Sequence, residues 1–287
     1  MNPDSGSAGA ARTALERAAG FEVRLARAAV LGDAIAAEVA AGTPRVLVAG
    51  GDGTIARAAS ALAGTALELA VLPGGTLNHF ARDQGIPSDP EQALAVAAAG
   101  RVRSADVGYV NGELFLNTSS IGAYVRYVRT RDRIERVVGY WLGSLAAGLR
   151  VLLDLQPITV ALAVGGATQV HRAPLVFVAV GERRLGLPGL GQRVPDGARA
   201  LHVVLPRGRR QARRFARAYA RLDRGLPVAA RALGVDAALV DRFGLVLGGG
   251  GTEVAVDGEI QQLPGRLDYR FSPGAIRVVT PADPAVS

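Results

Sequence analysis

Val46-Leu47-Val48-Ala49-Gly50-Gly51-Asp52-Gly53-Thr54 is the stretch on which the fold turns. Its four apolar residues are too few for a helix and stop at a pair of glycines, the pattern of a buried parallel strand ending in a tight turn. Residues 55–62 then read as a helix, and the unit repeats. Leu69-Ala70-Val71-Leu72 reads as a second strand, Pro73-Gly74-Gly75-Thr76 as its turn and residues 77–83 as a second helix. Two successive strand, glycine-loop and helix units predict a doubly wound α/β sheet. Both loops would sit on its carboxyl edge, where ligands of open α/β folds collect. Working outward, residues 10–19 and 33–41 are Ala-rich with scattered charge, as covering helices are, and residues 90–99 form another helix.

The chemistry of these loops follows from their residues. Glycines let the backbone come close to a ligand, and the unpaired N–H groups at a helix N-terminus attract an anion. Thr54 is placed either to cap its helix or to contact a phosphate oxygen. Asp52 is the odd member, because a carboxylate repels phosphate unless a cation or proton donor intervenes. It is a candidate Mg²⁺ ligand or hydroxyl-orienting base, with an ordinary helix N-cap as the alternative.

Beyond residue 105 the texture changes. Asn111-Gly112 marks a hairpin turn, residues 134–153 read as a long helix, and residues 158–164, 175–180 and 201–205 as strands. Residues 207–224 form a helix with eight Arg, and residues 253–256, 267–271 and 276–279 are late strands. The pattern predicts an α/β domain over 1–105 and a β-rich domain over 106–271, with residues 272–287 returning to the first.

Composition narrows the chemistry. The 287 residues contain no Cys, which excludes disulfides, thiolate nucleophiles and Cys-ligated zinc. They contain no Lys either, so a Walker A loop and a Schiff-base mechanism are excluded. With only His79, His171 and His202 available, a general base is expected to be a carboxylate, and His171 is expected to be structural. The formal net charge of +8 fits an acidic partner, but aromatic residues are only 5% of the chain and no nucleic-acid motif accompanies the charge. The basic helix is therefore read as a solvated face or, if functional, as a contact for an anionic membrane surface, and no nucleic acid is expected. Tyr140 and Trp141 are read as core residues, with a lipid groove as the alternative. Residues 137–149 are too short a run to span a bilayer, and the N-terminus has no signal-peptide pattern, so a cytoplasmic, peripherally membrane-associated protein is expected.

Gly50–Thr54 together with residues 72–87, LPGGTLNHFARDQGIP, resembles the diacylglycerol kinase catalytic-domain family of bacterial lipid kinases and sphingosine kinases. The opening Asn2-Pro3-Asp4-Ser5-Gly6, the late Val256-Asp257-Gly258-Glu259 and Ser272-Pro273-Gly274-Ala275 fit it in the same order. The resemblance implies a phosphofructokinase/NAD kinase-like α/β domain followed by a β-sandwich-like lipid-binding domain. It implies ATP, Mg²⁺ and transfer of the γ-phosphate to a lipid hydroxyl such as that of diacylglycerol. It assigns the nucleotide phosphates to Gly50, Gly51, Asp52, Gly53, Thr54, Gly75 and Thr76, with Asn2 and Ser5 nearby, and makes Glu259 the proton acceptor. Asp257-Gly258 by itself reads as a hairpin turn.

Departures from the family pattern bear on these expectations. The family places an apolar strand before the opening motif, so that strand is expected to be missing. An acid of the GTxND pattern is His79. The acidic segment that holds a structural Mg²⁺ is reduced to Pro195-Asp196-Gly197, leaving Asp196 as its metal candidate with His202 near the last acid. A soluble-substrate kinase of the NAD kinase type and a non-catalytic lipid- or nucleotide-binding relative are the alternatives.

Overall fold

The structure is a computed structural model and describes residues 13, 15, 22, 24, 26–138, 147, 150, 155–164, 167–183, 193–194, 196–206, 236–247 and 251–282. The chain divides into two compact units, Met1–Val107 with Pro273–Ser287, and Gly108–Ser272. Asn2, Ser5, all but residues 13 and 15 of the helix read over 10–19, Tyr140, Trp141 and the basic helix over 207–224 lie outside the described residues.

In the first unit, α1 (Leu31–Ala40) precedes β1 (Arg45–Gly50), α2 (Asp52–Leu62) and β2 (Glu68–Pro73). Next come the short α3 (His79–Asp83) and α4 (Pro90–Ala99), which Asp89 caps by accepting from the Gln92 N–H at 2.9 Å. β1 and β2 are parallel and in register from Arg45–Glu68 to Gly50–Pro73. The C-terminal residues of β14 (Arg266–Thr280) join the other side of β2, again parallel, at Arg277 and Val278. Leu69, Ala70, Val71 and Leu72 are all buried, as a strand covered on both faces must be. Ala97 of α4 packs on Ala70 and on Val279 of β14.

In the second unit, two sheets enclose one core. The first contains the end of β3 (Arg101–Val110), β4 (Glu113–Phe115), β6 (Ile158–Val164), β7 (Ala167–Ala173), β11 (Arg242–Leu247) and the start of β14. The other runs in the order β10 (Asp236–Val240), β9 (Leu201–Leu205), β8 (Leu175–Val180), β5 (Thr118–Gly122), β12 (Thr252–Val256) and β13 (Glu259–Leu263). Phe115, Val160, Phe243, Leu245 and Tyr269 from one sheet meet Ile121, Val178, Val203 and Val254 from the other. Tyr269 stacks on Phe243 at 4.6 Å, and its hydroxyl reaches Ser119 at 3.0 Å, so the phenol is buried without losing its hydrogen bond. α5 (Ala123–Val138) covers the outer face of β5 and β12 through Val125, Val128 and Ala255.

Several elements differ from expectation for local reasons. The second loop's helix starts at His79 because Asn78 is left-handed (φ 48°). The strands read over 267–271 and 276–279 are one strand, β14, which continues through Pro273 and Gly274. Gly274 takes φ 60° there, and its N–H donates to the Asp106 carboxylate at 2.9 Å instead of to a neighbouring strand. The helix expected from 134 begins at Ala123, directly after Gly122 turns the chain at φ 81°. β5, β7 and β13 have no clear apolar run, whereas β10 and β11 carry short ones (residues 237–240 and 245–247) that fall outside the expected strands. His171 lies on β7, opposite Val160.

His202 is a buried histidine on β9 whose ring nitrogens have no hydrogen-bond partner among the described residues. Burial lowers its pKa to about 4, with Glu182 raising it and Arg183 lowering it by smaller amounts. The folded chain keeps this ring neutral, while the unfolded chain protonates it near the ordinary value of about 6.5. Stability should therefore fall as pH drops from about 6.5 toward 4, by up to about 3 kcal/mol. Urea unfolding at several pH values checks this: His202→Leu should flatten that part of the profile without loss of stability at pH 7.

Candidate active site

The carboxyl ends of β1 and β2 carry the two glycine loops, and they touch backbone to backbone. A Cβ placed on Gly75 would lie 2.8 Å from the Gly51 Cα, and one on Gly51 would lie 3.3 Å from the Gly75 Cα. Only a residue without a side chain fits at Gly75, since backbone cannot yield as a flexible side chain can. A hydrogen bond from the Gly74 N–H to the Gly50 carbonyl (2.8 Å) extends the pairing of the two strands into the loops. Gly50 is small for a different reason: a Cβ there would strike the buried Thr54 side chain at 2.6 Å.

α2 begins immediately after this contact. Gly51 is its N-cap, extended (φ −82°, ψ −179°) and supplying no side-chain cap to the first turn. A helix N-terminus built on glycine in this way presents N–H groups to an anion with no Cβ in the approach. Gly51, Asp52 and Gly53 are half-buried there, and Thr76 is exposed on the neighbouring loop.

Asp52 ties the loops together. Its Oδ2 accepts from the His79 N–H and its Oδ1 from the Phe80 N–H, both at 3.2 Å. An acid in the first turn of α2 thus caps the start of α3, which is neither the cap of its own helix nor an unengaged carboxylate. Asn78 completes the turn: its Oδ1 accepts from the Gly75 N–H and its Nδ2 donates to the Gly75 carbonyl, both at 2.8 Å. Asn tolerates left-handed backbone better than most residues, so its identity after Gly-Thr-Leu was the available clue to this role.

In the second unit, Asp257 and Gly258 (φ 47° and 89°) form the two-residue turn between β12 and β13, closed by the pair Val256–Glu259. Both positive φ values match a type I′ turn, the form whose twist suits a tight hairpin. Glu259 is exposed on β13, an edge strand of its sheet among the described residues, and the next residue, Ile260, packs against the cluster of Val125 and Val128 of α5 and Ala255 of β12. Asp257 accepts from three consecutive N–H groups, those of Leu116, Asn117 and Thr118, at 2.7, 2.8 and 2.9 Å.

Asp196 is exposed in a left-handed turn (φ 56°). Among the described residues, no group of three or more His, Asp or Glu is arranged to hold a metal ion. A helix long and apolar enough to cross a membrane is also absent among them.

The first unit thus carries paired glycine loops at the carboxyl edge of a parallel sheet, and the second is a β-sandwich. The diacylglycerol kinase catalytic domain model matches residues 1–110. A "Probable lipid kinase YegS-like" protein of Pseudomonas aeruginosa (strain PAO1) is 34% identical over 302 aligned positions, covering 95% of this chain and 89% of that protein. Another of the same description, from Cronobacter sakazakii, is 39% identical over 34% of this chain and 35% of its own length. Two crystal structures from Bacillus anthracis str. Sterne share the fold. One has a TM-score of 0.75 at 23% identity, covering 100% of this chain and 94% of that one. The other, described as a diacylglycerol kinase, has a TM-score of 0.68 at 20% identity, covering 100% and 96%. The chain belongs to the diacylglycerol kinase catalytic-domain family.

Gly75→Ala tests the paired-loop geometry. The added methyl must push the Gly51 backbone away, at a destabilisation of about 1–3 kcal/mol. Urea unfolding of the variant beside the parent measures that loss.

Proposed function

We propose that this chain transfers the γ-phosphate of ATP to a lipid hydroxyl, such as that of diacylglycerol, at an anionic membrane surface. The observation that carries the reading is the glycine-on-glycine contact between Gly51 and Gly75 beside the uncapped start of α2, a cradle of N–H groups suited to a triphosphate. Gly50, Gly51, Gly53, Thr54, Gly75 and Thr76 hold the phosphates, with Asn2 and Ser5 alongside. The names of the curated relatives support the lipid as acceptor.

Asp52 fits a supporting part in metal binding. Each of its oxygens accepts one N–H and keeps a further lone pair. Mg²⁺ commonly uses one or two carboxylates together with substrate phosphates and water. When bound, Mg²⁺ neutralises charge on the phosphate oxygens. The chain's own contribution to that ion is Asp52, and Asp196 takes no part in this reading.

In the transfer, the lipid hydroxyl oxygen bonds to the γ-phosphorus as the bond to the bridging oxygen breaks. The electron pair leaves with ADP, and the hydroxyl proton passes to the Glu259 carboxylate. Glu259→Gln keeps the shape and removes the acceptor, so kcat should fall about 10²–10⁴-fold while KM for ATP stays within about twofold. The assay is label transfer from γ-labelled ATP into total lipid extract, read by mass spectrometry. No phosphorylated lipid, or an unaffected Gln variant, would overturn the reading.

Membrane approach rests on charge: the chain carries +8, with every cation an Arg. Arg near an anionic surface contributes about 1 kcal/mol each, and salt screens it. Co-sedimentation with phosphatidylglycerol vesicles should be strong at about 0.05 M salt and mostly lost at about 0.5 M, where the Debye length is only a few ångström.

A further inference from the structure

Glu259 is an exposed acid on an edge strand, next to a hairpin tip. Edge-strand tips of this kind fray readily, because one side of the ladder has no partner and local opening is easy. A proton acceptor placed there would wander by more than the reaction tolerates, since a displacement of about 1 Å can cost ~10²-fold in rate. Something must therefore hold the tip in place.

We infer that Asp257 is a positioning residue that aims Glu259 by binding the turn between β4 and β5; the inference rests on the role proposed for Glu259. Three observations carry it. First, the Asp257 carboxylate accepts all three N–H groups of Leu116, Asn117 and Thr118, at 2.7–2.9 Å. Consecutive N–H groups converging on one anion form a nest, in which charge-assisted bonds are roughly twice as strong as neutral ones.

Second, the backbone of the same residue is also engaged: the Asp257 N–H donates to the Thr118 carbonyl at 2.8 Å. The segment it grips leads directly into β5, which pairs with β8 on one side and β12 on the other, so the hairpin tip is fixed to the middle of its sheet. Third, Ile260, the residue after Glu259, packs against Val125 and Val128 of α5 and Ala255 of β12. Glu259 is held between a polar anchor two residues before it and an apolar anchor one residue after it.

The chemistry also explains why position 257 is Asp. Its φ of 47° would suit Asn or Gly at least as well. Asn, however, offers one oxygen and turns an N–H₂ donor toward a nest of donors. The acid is selected by the nest and the turn by the hairpin.

Asp257→Asn preserves the left-handed backbone and weakens the clamp, so it isolates the interaction from the fold. In that variant kcat should fall about 10- to 100-fold, with KM for ATP within about twofold. In a Glu259→Gln background the same change should lower the residual rate by less than about twofold, because its effect runs through Glu259. Equal losses in both backgrounds would overturn the positioning role in favour of a general structural one. A normal rate for Asp257→Asn alongside an impaired Glu259→Gln would overturn it outright while leaving the proposed function standing. A Glu259→Gln enzyme at the parental rate would instead overturn the proposed function, and the positioning role with it. Amide exchange gives a readout independent of turnover: the Leu116, Asn117 and Thr118 amides should exchange at least tenfold faster in Asp257→Asn, and unchanged protection there would refute the clamp.

Discussion

Two polypeptide backbones can press together only where a side chain is missing from the contact, and the meeting of Gly51 with Gly75 is such a place. Because the loops touch, the ends of two parallel strands act as one surface, and the first turn of α2 begins on glycine without a side-chain cap. A larger residue on either loop would separate them and place carbon where N–H groups now point. The glycines at 50, 51 and 75 therefore serve two kinds of need: Gly50 makes room for Thr54, while Gly51 and Gly75 make room for each other.

A second theme runs through both units. At points where regular structure breaks, an aspartate accepts backbone N–H groups that have no ladder partner. Asp52 does so at the start of α3, Asp106 at the bend in β14, Asp89 at the start of α4 and Asp257 at the β4–β5 turn. Each replaces a missing carbonyl with a charged acceptor, a stronger bond than the one it substitutes. Bonds of this kind between a carboxylate and backbone N–H groups are worth more than an exposed ion pair, whose contribution at a surface is small.

The α/β part of the fold was legible because its strands are short unbroken apolar runs ending in glycine, a pattern that few other structures share. α4 was legible to the residue, from Pro90 to Ala99, because proline at its start and a capping Asp89 are local signals. The β-sandwich was less so. Thr118-Ser119-Ser120 looks like a loop, yet β5 is central and its hydroxyl at Ser119 is satisfied by Tyr269, 150 positions away. β7 and β13 are edge strands whose polar residues leave no run to notice. At the site, residue types were readable but partnerships were not. Asp52 finds its N–H donors 27 and 28 positions downstream, and Asp257 finds its own about 140 positions upstream. Separations of that size are decided by topology, which no window of sequence contains.

The two-residue turn at Asp257-Gly258 has a further consequence for how this chain can vary. Side chains alternate between the faces of a strand, so adding or deleting one residue between Val256 and Glu259 would either bulge the hairpin or turn the acid to the opposite face. On the role proposed for Glu259, the length of this one turn is closed to insertion and deletion. Divergence here must proceed by substitution alone.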